Sequence, residues 1–509
     1  MTSQNDHLPK QPEPCWRDNL PFPTFPALEK NTTADVAIVG GGITGITAAY
    51  LLANKGLSVT LIEASDLLNG TTGHTTAKIT SQHGLIYDQL IKDFGEEKAK
   101  LYYEANNEAM HFIRDIVNTH DIDCDLTTED AYVYAGTDEY IPKIQAEFTA
   151  YEKLGIPCEY TESIPFSIPC KAAVVMKNQS QFHPLKYLTA LIPTLVDAGI
   201  KIYEHTTAAK VEEEGSKQVI HTSSGQTITC KYVLTASHYP FNDEIGLYFT
   251  RMHPERSYVL GIKTAEEYPG GMYLSADSPS RSLRDTIIDG ERLILVGGES
   301  HKTGQGIPTM EHYEALQAFS HQFFSVTDIP YRWSAQDLIT VDKVPYIGAA
   351  TKNHPTILIA TGYGKWGMTN GTLAAKILTD RILDKENRYA SLFDPSRFEA
   401  KSLKNFVTEN ANVAKELIKG KLSVSPQSLE DLSIGEAAII RVNGEKSGCY
   451  RDQTGQLHVV DSTCTHLGCE VAWNSGDTTW DCPCHGSRYS IDGTVLEGPA
   501  VIPLKKVDI

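Results

Sequence analysis

A glycine-rich turn between a buried strand and a helix is the feature that most restricts what this chain can fold into. A short apolar strand precedes Gly40, Gly42 and Gly45, which follow the spacing G-x-G-x-x-G at the start of a helix. The next apolar strand, 58–62, ends at Glu63. In this setting the glycines let backbone amides approach a pyrophosphate at the helix N-terminus, and the acid accepts hydrogen bonds from ribose hydroxyls. The pattern therefore predicts an α/β, Rossmann-like domain that binds a dinucleotide.

A second glycine-rich element indicates which dinucleotide is bound. Gly362, Gly364 and Gly367 follow an apolar strand and precede a helix that we predict over 372–383. This arrangement points a second helix N-terminus at the same ligand. The partial positive charge of a helix N-terminus suits the negative charge that develops on a reduced flavin. We therefore expect FAD.

The stretch from about 34 to 385 resembles the D-amino-acid oxidase superfamily of FAD-dependent oxidoreductases, which includes the glycine and sarcosine oxidases. The resemblance rests on the two glycine-rich elements and Glu63. It implies that FAD is the cofactor and that an inserted antiparallel sheet, roughly 85–180 and 240–335, binds the substrate. It also implies a set of cofactor-binding positions: Gly40, Gly42, Gly45, Glu63, Thr72, His74, Val211, Ala236, Gly362, Gly364, Gly367, Met368 and Thr369.

His74 lies in the string 70–78, shortly after Glu63. Dimethylglycine and sarcosine dehydrogenases carry a similar Gly-x-Thr-x-His string, whose histidine bonds covalently to the 8α carbon of the flavin. This chain differs from them at Gly73 and Thr75. The resemblance places His74 against the dimethylbenzene edge of the flavin, either as a loop histidine or as the point of covalent attachment. Yellow colour retained by the acid-precipitated protein would indicate attachment.

Two short boxes near the end of the chain combine cysteine with histidine. The first contains Cys464 and His466, the second contains Cys482 and His485, and five of the ten cysteines lie within 449–484. Two thiolates and two imidazoles are the ligands of a [2Fe-2S] cluster that has cysteines on one iron and histidines on the other. Structural Cys2His2 zinc is the alternative. Only one residue separates Cys464 from His466, and this spacing is too short for a common zinc knuckle. The spacing therefore favours the iron–sulfur cluster.

The block 423–509 resembles the high-potential type of Rieske domain. The resemblance implies ligation of the cluster by the four residues of the two boxes and a disulfide between Cys469 and Cys484. It also implies that the hydroxyl groups of Ser487 and Tyr489 hydrogen-bond to sulfur atoms of the cluster site. Disulfides are uncommon in the reducing cytosol, but burial beside a cluster shields such a bond from thiols.

The remaining sequence completes a division into four parts. These are an N-terminal Pro-rich strap, 1–33; the FAD-dependent oxidoreductase, 34–394; a connector helix, 395–422; and the Rieske domain, 423–509. The connector helix is expected to begin at Ser396 and to end at Gly420, with an apolar stripe that packs against the rest of the protein. The short strands and turns of the last part indicate a small all-β module.

Charge and hydropathy narrow the range of partners. With 45 Lys and Arg against 64 Asp and Glu, the net charge is −19, which disfavours binding to nucleic acid. No apolar run reaches the ~18 residues that span a bilayer, and the first residues do not resemble a signal peptide. We therefore expect a cytoplasmic protein that has no membrane span and acts on a small molecule.

Together the two modules predict a flavin-dependent oxidoreductase that takes hydride from the C–N bond of an amine or amino acid. Electrons would then leave singly through the Rieske cluster to an unknown one-electron acceptor, with exposed imidazoles of His466 and His485 as their exit. Arg256 and Tyr258 are candidates for substrate contact, and a surface arginine and a core tyrosine are the alternatives. An electron-transfer reductase that works in the opposite direction and a non-catalytic redox sensor are the competing functions.

Overall fold

The computed structural model describes residues 8–397, 403–422 and 427–509. In chain order the strands are β1 (Thr32–Thr33), β2 (Val36–Val39), β3 (Val59–Ile62), β4 (Lys78–Ile79), β5 (Thr127–Ala135), β6 (Cys158–Thr161), β7 (Ala172–Gln181), β8 (Lys201–Tyr203), β9 (Ala208–Glu214), β10 (Lys217–Thr222), β11 (Thr227–Cys230), β12 (Tyr232–Thr235), β13 (Met252–Thr264), β14 (Met272–Ser275), β15 (Arg281–Ile288), β16 (Glu291–Lys302), β17 (Val326–Thr340), β18 (Tyr346–Thr351), β19 (His354–Thr361), β20 (Ala437–Val442), β21 (Glu445–Arg451), β22 (Leu457–Asp461), β23 (Ala472–Asn474), β24 (Thr479–Asp481), β25 (Arg488–Tyr489) and β26 (Val495–Glu497). The α-helices are α1 (Ile43–Leu52), α2 (Tyr87–Phe94), α3 (Glu96–Thr119), α4 (Ile141–Leu154), α5 (Pro184–Asp197), α6 (Thr309–Phe323), α7 (Gly367–Ile382), α8 (Ala390–Phe393) and α9 (Leu403–Leu422).

A six-stranded sheet carries the dinucleotide-binding elements. Its strand order is β18-β19-β12-β2-β3-β8, and every neighbouring pair except β18 with β19 is parallel. All residues of β2 and β3 are buried, as expected for parallel strands covered on both faces. Helix α1 follows β2 and helix α7 follows β19, so both begin at the carboxyl end of the sheet. Ligands of open α/β sheets bind at this end.

A nine-stranded sheet forms the inserted part of the molecule. Its order is β17-β13-β16-β15-β14-β5-β7-β4, and β6 pairs with β7 on the side of this path. All of its pairs are antiparallel except β14 with β5. The chain enters this sheet between β3 and β8 and again between β12 and β18, which confirms an inserted, mainly antiparallel sheet. A smaller sheet, β1-β11-β10-β9, flanks the central one.

The final part is a small all-β module, which confirms the predicted fold class. It consists of a three-stranded sheet, β20-β21-β22, and a four-stranded sheet, β23-β24-β25-β26. Trp480 and Tyr489 lie at the centre of its core, next to the cysteines of both boxes. The module packs against the nine-stranded sheet, where a Cβ on Gly486 would lie 2.7 Å from Cβ of Pro254 in β13.

The connector helix differs from its predicted bounds. Helix α9 extends to Leu422, so Gly420 lies inside the helix instead of ending it. Ser396 lies in a turn, and the rest of the predicted first turn falls partly on 398–402, outside the described residues. Helical hydrogen bonding continues through a single glycine at a cost of about 1 kcal/mol, which is why a glycine alone is a weak stop signal.

Only part of the apolar stripe of α9 is covered. Val413 and Leu417 pack against the core of the all-β module, whereas Val407 and Ile418 are exposed. The helix therefore docks along a narrow line of contact. Within the described part of the chain, no helix has both the length and the apolar character to cross a bilayer.

Candidate functional site

The first glycine motif forms a tight backbone cradle at the start of α1. Gly40 has a φ of +111°, and a Cβ there would lie 2.4 Å from the carbonyl oxygen of Ala236. A Cβ on Gly45 would lie 1.9 Å from the carbonyl oxygen of Gly40, and one on Gly42 would lie 2.9 Å from Oγ1 of Thr72. Side chains are therefore excluded at these three positions, which leaves the first turn of the helix accessible to a ligand.

Glu63 stands at the end of β3, beside this cradle. Its carboxylate accepts hydrogen bonds from the backbone N–H groups of Gly41 at 2.8 Å and Ser65 at 3.0 Å. Burial raises the pKa of Glu63, against the lowering effect of these hydrogen bonds. The N–H of Thr206 donates to the carbonyl oxygen of Glu63 at 2.8 Å, whereas Val211 lies farther along β9. The structure therefore brings Thr206 next to the predicted ribose-binding acid, and the role of Val211 in binding the cofactor stays a prediction.

The second glycine-rich element meets the first at the helix N-termini. The hydroxyl groups of Thr44 in α1 and Tyr363 before α7 are 2.8 Å apart. A Cβ on Gly371 would lie 2.8 Å from Cγ2 of Ile43, so α1 and α7 approach closely. The first turns of the two helices therefore lie side by side, as a shared ligand requires.

The backbone before α7 has the shape that its glycines allow. Gly362 and Gly364 have φ angles of +74° and +58°, in the left-handed region. Helix α7 begins at Gly367, five residues earlier than predicted, and Met368 and Thr369 in its first turn are buried. The predicted contacts of these five residues with a flavin stay predictions.

A loop after Glu63 lies beside the two glycine-rich elements and forms a third side of the candidate flavin cleft. His74 ends the 3₁₀ helix Thr71–His74, and its Nδ1 lies 3.0 Å from the carbonyl oxygen of Gly70. The carbonyl oxygen of His74 accepts a hydrogen bond from Nε1 of Trp333 at 2.8 Å. Burial lowers the pKa of His74. Both predicted states of this residue, a loop histidine beside the flavin or a covalent attachment, stay predictions.

These residues fit FAD in shape and polarity. Among the described residues, neither N-cap residue, Gly42 of α1 or Trp366 of α7, caps its helix with a side chain, and Oγ1 of Thr72 accepts a hydrogen bond from the N–H of Ile43 at 3.1 Å. The other N–H groups in the first turns of the two helices are left for an anionic ligand. The glycine cradle, which excludes Cβ atoms, lets a pyrophosphate reach the N-terminus of α1. Glu63 stands at the end of β3, the strand next to β2, where it can meet the ribose of the same ligand.

The two cysteine–histidine boxes come together in the all-β module. Cys464 and Cys482 are buried and in side-chain contact, and the rings of His466 and His485 lie 5.0 Å apart and perpendicular. Nδ1 of His466 is buried without a hydrogen-bond partner among the described residues. Such a nitrogen is costly to bury unless it binds something. Two thiols, two imidazoles and this unpaired nitrogen fit a [2Fe-2S] cluster.

The surroundings of the boxes agree with the resemblance. Cys469 and Cys484 form a disulfide. The hydroxyl of Tyr489 lies 3.2 Å from Sγ of Cys464, and Oγ of Ser487 accepts a hydrogen bond from the loop that follows β26 at 3.0 Å. Hydroxyl donors near cluster sulfur atoms stabilise the reduced state of a cluster. The ligand and hydroxyl roles assigned to these residues stay predictions.

The two imidazoles are not exposed, so the expectation of an exposed electron exit at these rings is wrong. The side chain of His466 is 11 % exposed, and His485 is 3 % exposed. Phe249 packs on both rings, at centroid distances of 6.1 Å and 5.6 Å. Nε2 of His466 lies 3.2 Å from Oδ2 of Asp243. The histidine edge of the cluster site therefore faces the flavoprotein part of the same chain.

Arg256 is buried at the boundary between the two parts. Its guanidinium lies 3.7 Å from Asp477, 3.7 Å from Asp481 and 3.3 Å from Glu497 of the all-β module. Arg488 pairs with the same three carboxylates. The alternative of a surface arginine is wrong, because Arg256 is 0 % exposed. Two guanidinium groups and three carboxylates thus form one largely buried network across the boundary, in which Glu497 is the most exposed member.

Tyr258 lies on the same face of β13 as Arg256. Its hydroxyl is 2.9 Å from Nε2 of His301, and its ring packs edge-on against Tyr313. Substrate binding by Arg256 and Tyr258 stays a prediction, and these contacts do not favour it.

Gln336 of β17 connects the surroundings of the two sites. The hydroxyl of Thr71 in the loop beside the flavin cleft donates to its carbonyl oxygen at 3.3 Å. Its side-chain amide donates to the carbonyl oxygen of Gly486 at 3.0 Å. Gly486 directly follows His485 of the second box. A single residue therefore contacts both the flavin loop and the cluster box.

The opposite face of β13 and β17 carries polar side chains beside the second glycine-rich element. The ammonium group of Lys365 lies 2.6 Å from Oγ of Ser257, 3.6 Å from Glu255 and 3.7 Å from Asp337. Burial raises the pKa of Asp337 to about 6, although Lys365 acts against this. The sequence did not indicate that these residues lie together, because single polar residues in separate segments have no distinctive spacing.

Comparisons with protein families agree with both sites. The family model DAO, described as FAD dependent oxidoreductase, matches residues 35–381. The model of the Rieske [2Fe-2S] domain matches residues 425–508. These two matches cover the flavin cleft and the cysteine–histidine boxes respectively.

Individual relatives share one or both parts. A Bacillus subtilis (strain 168) protein named "Putative Rieske 2Fe-2S iron-sulfur protein YhfW" is 50 % identical over 507 residues, 99 % of each chain. Gamma-glutamylputrescine oxidoreductase of Escherichia coli (strain K12) is 23 % identical over 72 % of this chain and 88 % of its own. The fold of glycine oxidase from Geobacillus kaustophilus matches with a TM-score of 0.59 at 18 % identity, over 72 % of this chain and 99 % of that one.

Proposed function

From the fact that this chain belongs to the DAO family of FAD-dependent oxidoreductases and carries a Rieske [2Fe-2S] domain, we propose that it oxidises the C–N bond of an amine or amino acid and passes the electrons on singly. When bound, FAD takes a hydride from carbon and a [2Fe-2S] cluster takes single electrons. One chain with both groups converts a two-electron oxidation into one-electron transfers. The observation that carries the proposal is Gln336, which contacts the flavin loop on one side and the second box on the other.

Two observations support an amine or amino acid as the substrate: the names of relatives, and carboxylates beside the second glycine-rich element. One relative is named for gamma-glutamylputrescine, and one structural neighbour is a glycine oxidase. Glu255 and Asp337 offer carboxylates that suit a substrate ammonium group, and Lys365 occupies that position in this structure. We propose that Ser257 and these three residues line the substrate site.

The proposed roles of the remaining residues are those that the two family resemblances imply. Gly40, Gly42 and Gly45 admit the pyrophosphate, and Glu63 holds a ribose. Cys464, Cys482, His466 and His485 ligate the cluster, with Ser487 and Tyr489 bonding to its sulfur atoms. We keep the proposed domain boundaries after 33, 394 and 422.

Anaerobic mixing of the purified holoenzyme with a panel of amines and amino acids tests the proposal. We expect a panel member to bleach the flavin absorbance, followed by the EPR signal of a reduced Rieske cluster. In a C482S control we expect bleaching without that signal. Bleaching by dithionite but by no panel member would contradict the proposal and favour the reductase working in the opposite direction. If the purified protein contains no flavin, the remaining candidate function is a non-catalytic redox sensor.

A further inference from the structure

One contact joins the flavoprotein part directly to a residue of the predicted cluster ligand set. Oδ2 of Asp243 accepts a hydrogen bond from Nε2 of His466 at 3.2 Å, and both side chains are mostly buried. Among the described residues this carboxylate makes no other hydrogen bond, and it caps no helix. The contact therefore does not serve the local structure of the segment that carries Asp243.

Aromatic side chains close off the same contact. The ring of Tyr239 lies 6.4 Å and that of Phe249 lies 6.1 Å from the ring of His466. Both residues come from the segment between β12 and β13, which also carries Asp243. Exclusion of water strengthens a hydrogen bond between an imidazole and a carboxylate. The other ring nitrogen of His466, Nδ1, is buried and has no hydrogen-bond partner in the described part of the chain, which leaves it for iron.

We propose that Asp243 is a positioning residue for His466 and that its negative charge keeps the reduction potential of the Rieske cluster low. A carboxylate that accepts the N–H of a metal-bound imidazole fixes the orientation of the ring and makes it a stronger donor. A stronger donor and a nearby negative charge both favour the oxidised cluster, which carries one more positive charge than the reduced one. Removal of the carboxylate therefore makes the cluster easier to reduce.

The consequence for electron flow rests on the proposed function. A cluster of lowered potential passes an electron on to an acceptor more readily. The imidazole edge is covered by Asp243, Tyr239 and Phe249, so an external acceptor approaches the cluster from another side.

The D243N holoenzyme tests the inference, because asparagine keeps the shape of the side chain and removes its charge. Titration with dithionite and mediators, followed by EPR without any substrate, measures the potential of the cluster. At a fixed ambient potential we expect the ratio of reduced to oxidised cluster to rise about tenfold or more, which is 59 mV for one electron. E244Q is the matched control, because it removes the same charge from the next residue, which is exposed. We expect its potential to stay close to that of the wild type.

The outcomes separate clearly. An unchanged potential in D243N, or an equal shift in E244Q, overturns the inference. If D243N is purified without its cluster while E244Q keeps it, D243E decides: a restored cluster at the wild-type potential supports the inference, and a missing one overturns it. Because no substrate is used, a shift in D243N stands even if the amine panel fails. Conversely, an unshifted potential together with a flavin that amines reduce refutes only this inference.

Discussion

The flavin cleft and the cluster pocket are built in opposite ways. The cleft depends on glycines, which have no Cβ, because a Cβ at Gly45 would stand 1.9 Å from a carbonyl oxygen. The pocket depends on donor atoms that converge: two cysteines and two histidines lie together, and Nδ1 of His466 has no hydrogen-bond partner among residues 8–397, 403–422 and 427–509. A third arrangement, the buried charges around Arg256, holds the two parts together. The cleft should therefore fail when an atom is added, and the pocket when a donor is removed.

Removal of a donor should have the largest effect and should leave the cleft untouched. In C482S we expect iron content to fall by more than about tenfold, since one of four ligands is lost, while the FAD content stays at the wild-type ratio. Iron assay and flavin absorbance measure both. C449S is the matched control, because Cys449 is a buried cysteine of β21 outside both boxes. Loss of FAD together with iron would break the comparison, because the sites would then not be independent.

Removal of a charge from the ion network around Arg256 should have the second largest effect. R256M leaves the buried carboxylates of Asp477 and Asp481 and the partly buried carboxylate of Glu497 with only the charge of Arg488 to compensate them. This should destabilise the protein by about 3–5 kcal/mol. Urea unfolding followed by cluster circular dichroism and tryptophan fluorescence measures this. R441M, at an exposed arginine of β20, should change stability by less than about 0.5 kcal/mol. A similar small change in R256M would show that the network does not hold the parts together.

Addition of an atom to the cleft should cost less than loss of the network. G45A should weaken FAD binding by about ten- to a hundredfold, because overpacking costs about 1–3 kcal/mol. Equilibrium dialysis against FAD measures the affinity, and iron content should stay normal. G70A is the control, since a Cβ on Gly70 meets nothing within 4 Å. Equal affinities in the two variants would refute the cradle.

The smallest expected effect is a pH dependence of the boundary. Burial alone would raise the pKa of Glu497, but Arg256 and Arg488 outweigh it and lower the pKa to about 2. A lowered folded pKa gives stability that is present above the unfolded value of about 4.5 and is lost as the pH falls towards 2. The stability difference between wild type and E497Q should therefore shrink by the order of 1–2 kcal/mol from pH 6 to about pH 3.5. A constant difference in urea unfolding over this range would contradict the ion pairing.

The sequence was informative wherever a site is local. The strand, glycine turn and helix around Gly40, and the two boxes around Cys464 and Cys482, each fit within short segments whose spacing reflects backbone geometry. Fold class, FAD and the [2Fe-2S] cluster followed from these segments and their resemblances, and the comparisons confirm all three.

The boundary between the parts had no such signal. Arg256 and Glu497 are 241 residues apart, and Asp243 and His466 are 223 apart, so only the folded chain brings them together. The same limitation explains the wrong expectation of exposed imidazoles, because the segment that covers His466 belongs to another part of the chain. Gln336 was missed for this reason as well.

The central claim is that flavin and cluster exchange electrons within one chain. Rapid anaerobic mixing of the holoenzyme with a limiting amount of dithionite, followed by freezing at intervals, gives the redox state of each group by absorbance and EPR. We expect electrons to redistribute between the two groups with a first-order rate that is unchanged when the protein is diluted. A rate that falls in proportion to protein concentration, or no redistribution at all, would contradict it.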